Sequence, residues 1–137
     1  MNMEMIEWTP DLSVGIGEID SQHREFIRLI TNMPKELDAG YDAKKAAELI
    51  IFLEGYADRH FMAEEMYMSV YSYPQVNVHK ALHDKFRAEI AGMREKAEHE
   101  ESGEVVLEIN RRIYSWFVEH IKVTDRKLGD FLKGKMR

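Results

Sequence analysis

Apolar residues recur at three- and four-residue steps along four successive stretches of this chain. That spacing gathers them on one face of an α-helix, whereas a half-buried strand would alternate them. The first stretch, residues 20–38, turns Phe26, Ile27, Ile30 and Met33 inward. In the second, residues 42–67, the stripe is Ala46, Leu49, Ile50, Leu53, Tyr56 and Ala57. The third, 75–100, presents Leu82, Phe86, Ile90 and Met93; the fourth, 104–121, presents Val106, Ile109, Ile113, Trp116 and Phe117. No segment after residue 20 alternates convincingly enough to demand a sheet. The breaks at Gly40, Tyr71–Pro74 and Ser102–Gly103 are short, and short links join antiparallel neighbours. The fold class expected is all-α, an up-down-up-down four-helix bundle.

Both ends of the chain add to it. Residues 1–18 read as an extended arm: Ile6, Trp8, Leu12, Val14 and Ile16 alternate, while Pro10, Gly15 and Gly17 oppose a helix. Asp20 or Ser21 can cap the first helix by accepting a free backbone N–H. Pro34 should bend that helix or loosen its last turn. After Asp125, Leu128, Phe131 and Leu132 suggest a short C-terminal helical segment. At 137 residues the chain can build one substantial core but not two. It therefore reads as a single domain, 1–137, with arm 1–18, bundle 19–121 and C-terminal segment 122–137.

Several functions are disfavoured by composition. A formal charge of -6 with no Arg/Lys run offers nothing to nucleic acid. Apolar runs such as Leu49–Leu53 are far too short for membrane insertion. The acidic start, Met1–Glu7, does not resemble a signal peptide, so the default location is cytoplasmic. There is no cysteine. Disulfides, thiolate metal sites, iron–sulfur clusters and cysteine nucleophiles are thereby excluded, and any metal must be held by imidazole and carboxylate. That donor set suits iron, manganese or zinc.

Five of the six histidines fall where such a site could form. His60 and Glu64 are four residues apart, as are His79 and His83, so each pair shares a helix face. His120 and Asp125 are five apart, which an ideal helix would separate by about 140°. A local widening of the helix, or its ending near Lys122–Val123, would return Asp125 to the axis. In an antiparallel bundle the starts of the first and third helices and the ends of the second and fourth share one end. His23, His60, Glu64, His79, His83, His120 and Asp125 then reach one layer. Burying five imidazoles and two carboxylates with nothing to bind would cost too much desolvation for an ordinary core. Seven donors are nearly enough for two octahedral iron ions if the carboxylates and a hydroxide or oxide bridge them. The arithmetic favours three histidines on one ion and two on the other, leaving one exchangeable position. His99 fits none of this and reads as solvated.

The sequence resembles the hemerythrin family, its single-domain bacterial members in particular. The matching pieces are Trp8, Val14–Gly15, Asp20–Ser21–Gln22–His23 and His60–Phe61–Met62–Ala63–Glu64–Glu65. Tyr73–Pro74, His79–Lys80–Ala81–Leu82–His83, Trp116–Phe117–Val118–Glu119–His120–Ile121 and Asp125 complete them. The resemblance implies His79, His83 and His120 on a coordinatively full iron, His23 and His60 on an open one, and Glu64 and Asp125 bridging. It also implies an apolar ligand pocket lined by Phe26, Phe61, Trp116, Phe117 and Ile121, and O2 as the ligand. Phe117 stands where relatives often carry a smaller aliphatic residue. Reversible oxygen storage, transport or delivery follows, with no enzyme activity and with an oxygen-consuming enzyme as recipient. A diiron oxidase or peroxidase, an NO- or peroxide-handling enzyme, and a sensing module acting through a partner are the alternatives. Oxygen-activating diiron bundles commonly carry two ExxH motifs, and this chain has none. Glu65 and Glu119 are candidate acceptors for the outer imidazole N–H groups. Bacterial relatives are often monomeric, and no exposed apolar stripe is evident to argue otherwise.

Overall fold

The computed structural model describes residues 7–38, 40, 42–99 and 103–136. Five α-helices follow one another: α1 (Gly17–Leu37), α2 (Ala43–Val70), α3 (Val76–His99), α4 (Gly103–His120) and α5 (Arg126–Lys135). A π-helical turn, Ile121–Asp125, joins α4 to α5 without a break. α1 packs on α2, α2 on α3, α3 on α4 and α4 back on α1, which closes a four-helix ring around one core. Phe26, Phe61, Phe86 and Phe117 are its largest fully buried side chains. Burying one such side chain contributes roughly 1.5–3 kcal/mol, so the stripe on each helix dictates which face turns inward.

α1 starts three residues earlier than the sequence suggests, at Gly17, and neither Asp20 nor Ser21 caps it. Asp20 has another use. Its carboxylate accepts the Val14 N–H at 2.8 Å and the Ser13 hydroxyl at 2.5 Å, tying the arm to the helix. The arm is not uniformly extended, because Pro10–Leu12 forms one 3-10 turn. Leu12, Val14 and Ile16 are buried, while Ile6 lies outside the described residues. Arg126 of α5 donates to the Asp11 carbonyl at 2.7 Å. A Cβ at Gly129 would lie 2.1 Å from the Val14 carbonyl oxygen, so only glycine lets the arm press this closely on α5.

Pro34 does not end α1, which continues to Leu37. Proline at this position strips the Ile30 carbonyl of its helical N–H partner. Asn110 of α4 supplies a replacement: its buried side-chain N–H group reaches the Ile30 oxygen at 3.3 Å. The helix survives because a neighbouring helix fills the gap.

The outer face of α2 corrects a second expectation. Ile51, Phe52, Met62, Met66 and Val70 are all exposed there, so an apolar stripe does run along the surface. Exposed Asp58 and Arg59 interrupt it between Phe52 and Met62. Among the described residues, no helix is long and apolar enough to cross a membrane.

Replacing Asn110 by alanine should strand the Ile30 carbonyl inside the core and open a small void. Urea unfolding should show a loss of about 1–3 kcal/mol. A variant within 0.5 kcal/mol of the parent, roughly the scale of an ordinary surface substitution, would mean that Pro34 needs no such partner.

Candidate metal centre

One end of the ring collects most of the buried polar residues. His23 comes from the second turn of α1, His60 and Glu64 from the second half of α2, and His79 and His83 from the first three turns of α3. His120 ends α4, and Asp125 closes the π-helical turn. All seven are buried. The widened turn solves the spacing problem: five residues complete one π turn, so Asp125 points into the same layer as His120. Tyr67 of α2, donating to Glu18 of α1 at 2.6 Å, fastens the two helices close to this layer.

The donors sort into two groups that share both carboxylates. Glu64, His79, His83, His120 and Asp125 form one; His23, His60, Glu64 and Asp125 form the other. Within each, the ligand atoms lie within 4.8 Å of one another. Glu64 divides its oxygens between them: Oε1 faces Nε2 of His79 at 3.2 Å and of His83 at 2.9 Å. Its Oε2 faces Nε2 of His60 at 3.5 Å and of His23 at 3.6 Å. Asp125 does the same, with Oδ1 3.0 Å from both His79 and His120 and Oδ2 2.8 Å from His23. Two carboxylates, each turned toward both histidine sets, have the form of two bridges between two cations.

Hydrogen bonding alone does not account for this packing. His60 Nε2, His120 Nε2, Glu64 Oε2 and Asp125 Oδ1 are buried without a hydrogen-bond partner, although opposite donors or acceptors lie within a few Å. Native interiors leave few such atoms, because each costs about 1–3 kcal/mol. Lone pairs converging on common points at angles unsuited to hydrogen bonds fit metal ions. The absence of sulfur and the excess of imidazole fit a borderline first-row ion.

The outward ring nitrogens matter too. His60 Nδ1 meets Gln22 Oε1 at 2.7 Å, and His83 Nδ1 meets Glu65 Oε2 at 2.9 Å. Such partners fix the tautomer that leaves Nε2 free to ligate. Glu119 is exposed, as is His99. Gln22 carried no signal beyond its place beside His23, since its partner lies 38 residues away.

Aromatic rings wall off the layer. Phe117 lies 5.6 Å from His23 and 6.1 Å from His60, with Phe26 packed 4.3 Å behind it. Phe61 stacks on His83 at 4.1 Å and stands 5.7 Å from His60; Ile121 is fully buried. Trp116 takes a different place: it stacks on His120 at 4.7 Å and on Phe86 at 4.4 Å, on the side of the three-histidine group. Phe86, which sequence reading assigned only to the core, touches Phe26, Phe61, Trp116 and Phe117 and links the whole wall.

Comparison with known proteins identifies the family and the fold. The hemerythrin HHE cation binding domain matches residues 14–132. A bacteriohemerythrin of Clostridium acetobutylicum is 30% identical over 132 residues, covering 92% of this chain and 100% of its own. One from Stenotrophomonas maltophilia is 28% identical over 135 residues, covering 98% of this chain and 86% of its own. A solved wild-type hemerythrin superposes with a TM-score of 0.84 at 26% identity, covering 94% of this chain and 98% of that one.

Protonation gives the metal-free layer its balance. Burial pushes His23 and His79 down, but the adjacent Asp125 and Glu64 carboxylates outweigh it and raise both to about 9. Burial takes His60 down to about 4, so it is neutral. Burial also pushes Glu64 and Asp125 up, yet the surrounding imidazoles hold both carboxylates well below their usual range. Two imidazolium ions thus offset two carboxylates near neutral pH. A metal needs the neutral ring, so loading must expel the protons on His23 and His79. Because both raised values lie near 9, those protons are present below that pH and gone above it. Dye-monitored proton release on loading with zinc should fall by about two per chain between pH 7 and pH 10, and binding should tighten over the same interval. Release that stays constant across that interval would contradict the assignment.

Proposed function

Because this chain belongs to the hemerythrin family, we propose that it binds dioxygen reversibly at a non-haem diiron centre and serves in oxygen storage, transport or delivery. One observation carries the reading: two buried donor groups of three and two histidines share Glu64 and Asp125. In this reading His79, His83 and His120 hold one ion, His23 and His60 hold the other, and the carboxylates bridge them. The set with fewer histidines leaves the position for a small ligand.

Two iron ions bound there would supply the electrons that dioxygen takes up and gives back. The protein's own residues do the rest. Glu64 and Asp125 place negative charge between two cations and offset their repulsion. Gln22 and Glu65 hold the His60 and His83 rings in the tautomer that ligates. Phe26 and Phe117 cover the His23–His60 side with hydrocarbon, which admits an uncharged diatomic gas and disfavours water, protons and anions. Five imidazoles to two carboxylates, without paired ExxH motifs, favour a carrier over an oxygen-activating enzyme.

Anaerobic loading with ferrous iron followed by O2 titration tests this. The expected outcome is two irons per chain, one O2 per pair, and a visible spectrum that reverses when the gas is removed. Rapid irreversible oxidation with peroxide turnover would favour an enzyme instead. Glu64→Ala and Asp125→Ala should each fail to assemble the coupled pair, and normal occupancy in either variant would sink the bridging roles.

A further inference from the structure

Arg87 stands one turn beyond His83 on α3, among three carboxylates. Its Nε lies 3.0 Å from Asp58, and its Nη1 lies 2.9 Å from Asp84 and 3.3 Å from Glu65 Oε2. Asp58 and Asp84 are 55% and 72% exposed, so water screens those two contacts. Glu65 is only 20% exposed. Its Oε2 is also the atom that accepts from His83 Nδ1 at 2.9 Å. The guanidinium carbon sits 5.2 Å from the centre of the Phe61 ring, which also stacks on the His83 imidazole. Arg87 therefore reaches His83 along two routes, through a carboxylate oxygen and through a ring.

We propose that Arg87 is a positioning residue for His83: it pins Glu65 Oε2 against the Nδ1–H, and so keeps Nε2 turned inward with its lone pair free. The inference rests on reading His83 as a metal ligand. Glu65 follows directly on Glu64, but a helix turns about 100° per residue, so its carboxylate emerges at the rim of the layer. There an anion left alone gains most by swinging into water. A fixed cation touching the same oxygen removes that incentive. Once Glu65 is held, it dictates which His83 nitrogen carries the proton. The planar guanidinium suits the task because it can engage Asp58, Asp84 and Glu65 at once while lying against Phe61.

The test compares Arg87→Met, Arg87→Gln, Glu65→Gln and the double variant R87M/E65Q. Zinc affinity is measured by competition with a chelator, and the His83 Nδ1–H resonance is followed by NMR in the metal-free chain. Glu65→Gln should weaken zinc binding by about 10–100-fold, the scale typical of lost outer partners of ligating histidines. Each Arg87 variant should weaken it in the same direction by about tenfold and shift or broaden the His83 resonance. Adding R87M to E65Q should change nothing further. Parent-like affinity and resonance in the Arg87 variants, with only a lower melting temperature, would overturn the proposal by making Arg87 structural. Full additivity in the double variant would also overturn it. Should R87M fail to fold, R87Q, which keeps a polar stem without the charge, carries the comparison. If the unaltered chain itself took up only one zinc ion, the underlying metal reading would fail instead, and metal stoichiometry separates the two cases.

Discussion

Two buried carboxylates with their oxygens turned in opposite directions set the terms for the rest of this molecule. Glu64 and Asp125 are anions in a layer with no access to water, and each faces imidazoles on both sides. Isolated charges in such a place would be prohibitive, and their protonated neighbours only balance them. The bundle tolerates this layer because its other levels are mostly hydrocarbon. Ile30, Ile50, Ile90 and Ile113 form a core that needs no partner beyond itself. Stability is thus supplied away from the polar end, which leaves that end free to be chemically demanding.

The same separation explains how the helices are fastened. Near the polar layer, Tyr67 to Glu18 and Asp20 to the arm are directed contacts that fix the ends of helices in register. Farther along, Asn110 replaces a hydrogen bond that proline removed, and α1 keeps its course. Asp20 and Asn110 each meet a backbone group, the Val14 N–H and the Ile30 carbonyl. Aromatic rings then fill the space between the layer and the aliphatic core. Phe86 is their common neighbour, so a change of ring volume there would be felt by four side chains at once.

Much of this was legible in the sequence because it depends on periodicity. The i, i+4 pairs His60–Glu64 and His79–His83, and the placement of histidines near matching helix ends, need no tertiary knowledge. The five-residue step from His120 to Asp125 even announced an irregular turn. What escaped notice depends on pairs distant in the chain. Asp20 looks like a helix cap until the arm folds back onto it. Gln22 has no visible role until α2 brings His60 beside it. Pro34 reads as a bend or a loosened last turn, because its remedy, Asn110, is 76 residues further on. The exposed face of α2 was missed for another reason: a strong inward stripe says nothing about how polar the reverse face is.

The π-helical turn has a consequence beyond the ligand it delivers. Geometrically it is an α-helix carrying one surplus residue, so everything after it is rotated by about 100° relative to an uninterrupted rod. Leu128 and Leu132 are buried, and Gly129 meets the Val14 carbonyl, only in that rotated frame. Excising the surplus residue would therefore undock the C-terminal helix from the arm as well as turn Asp125 aside. An exposed side chain such as Lys122 can change here at little cost, but an insertion or deletion between His120 and Asp125 must disturb both ends of the polypeptide together.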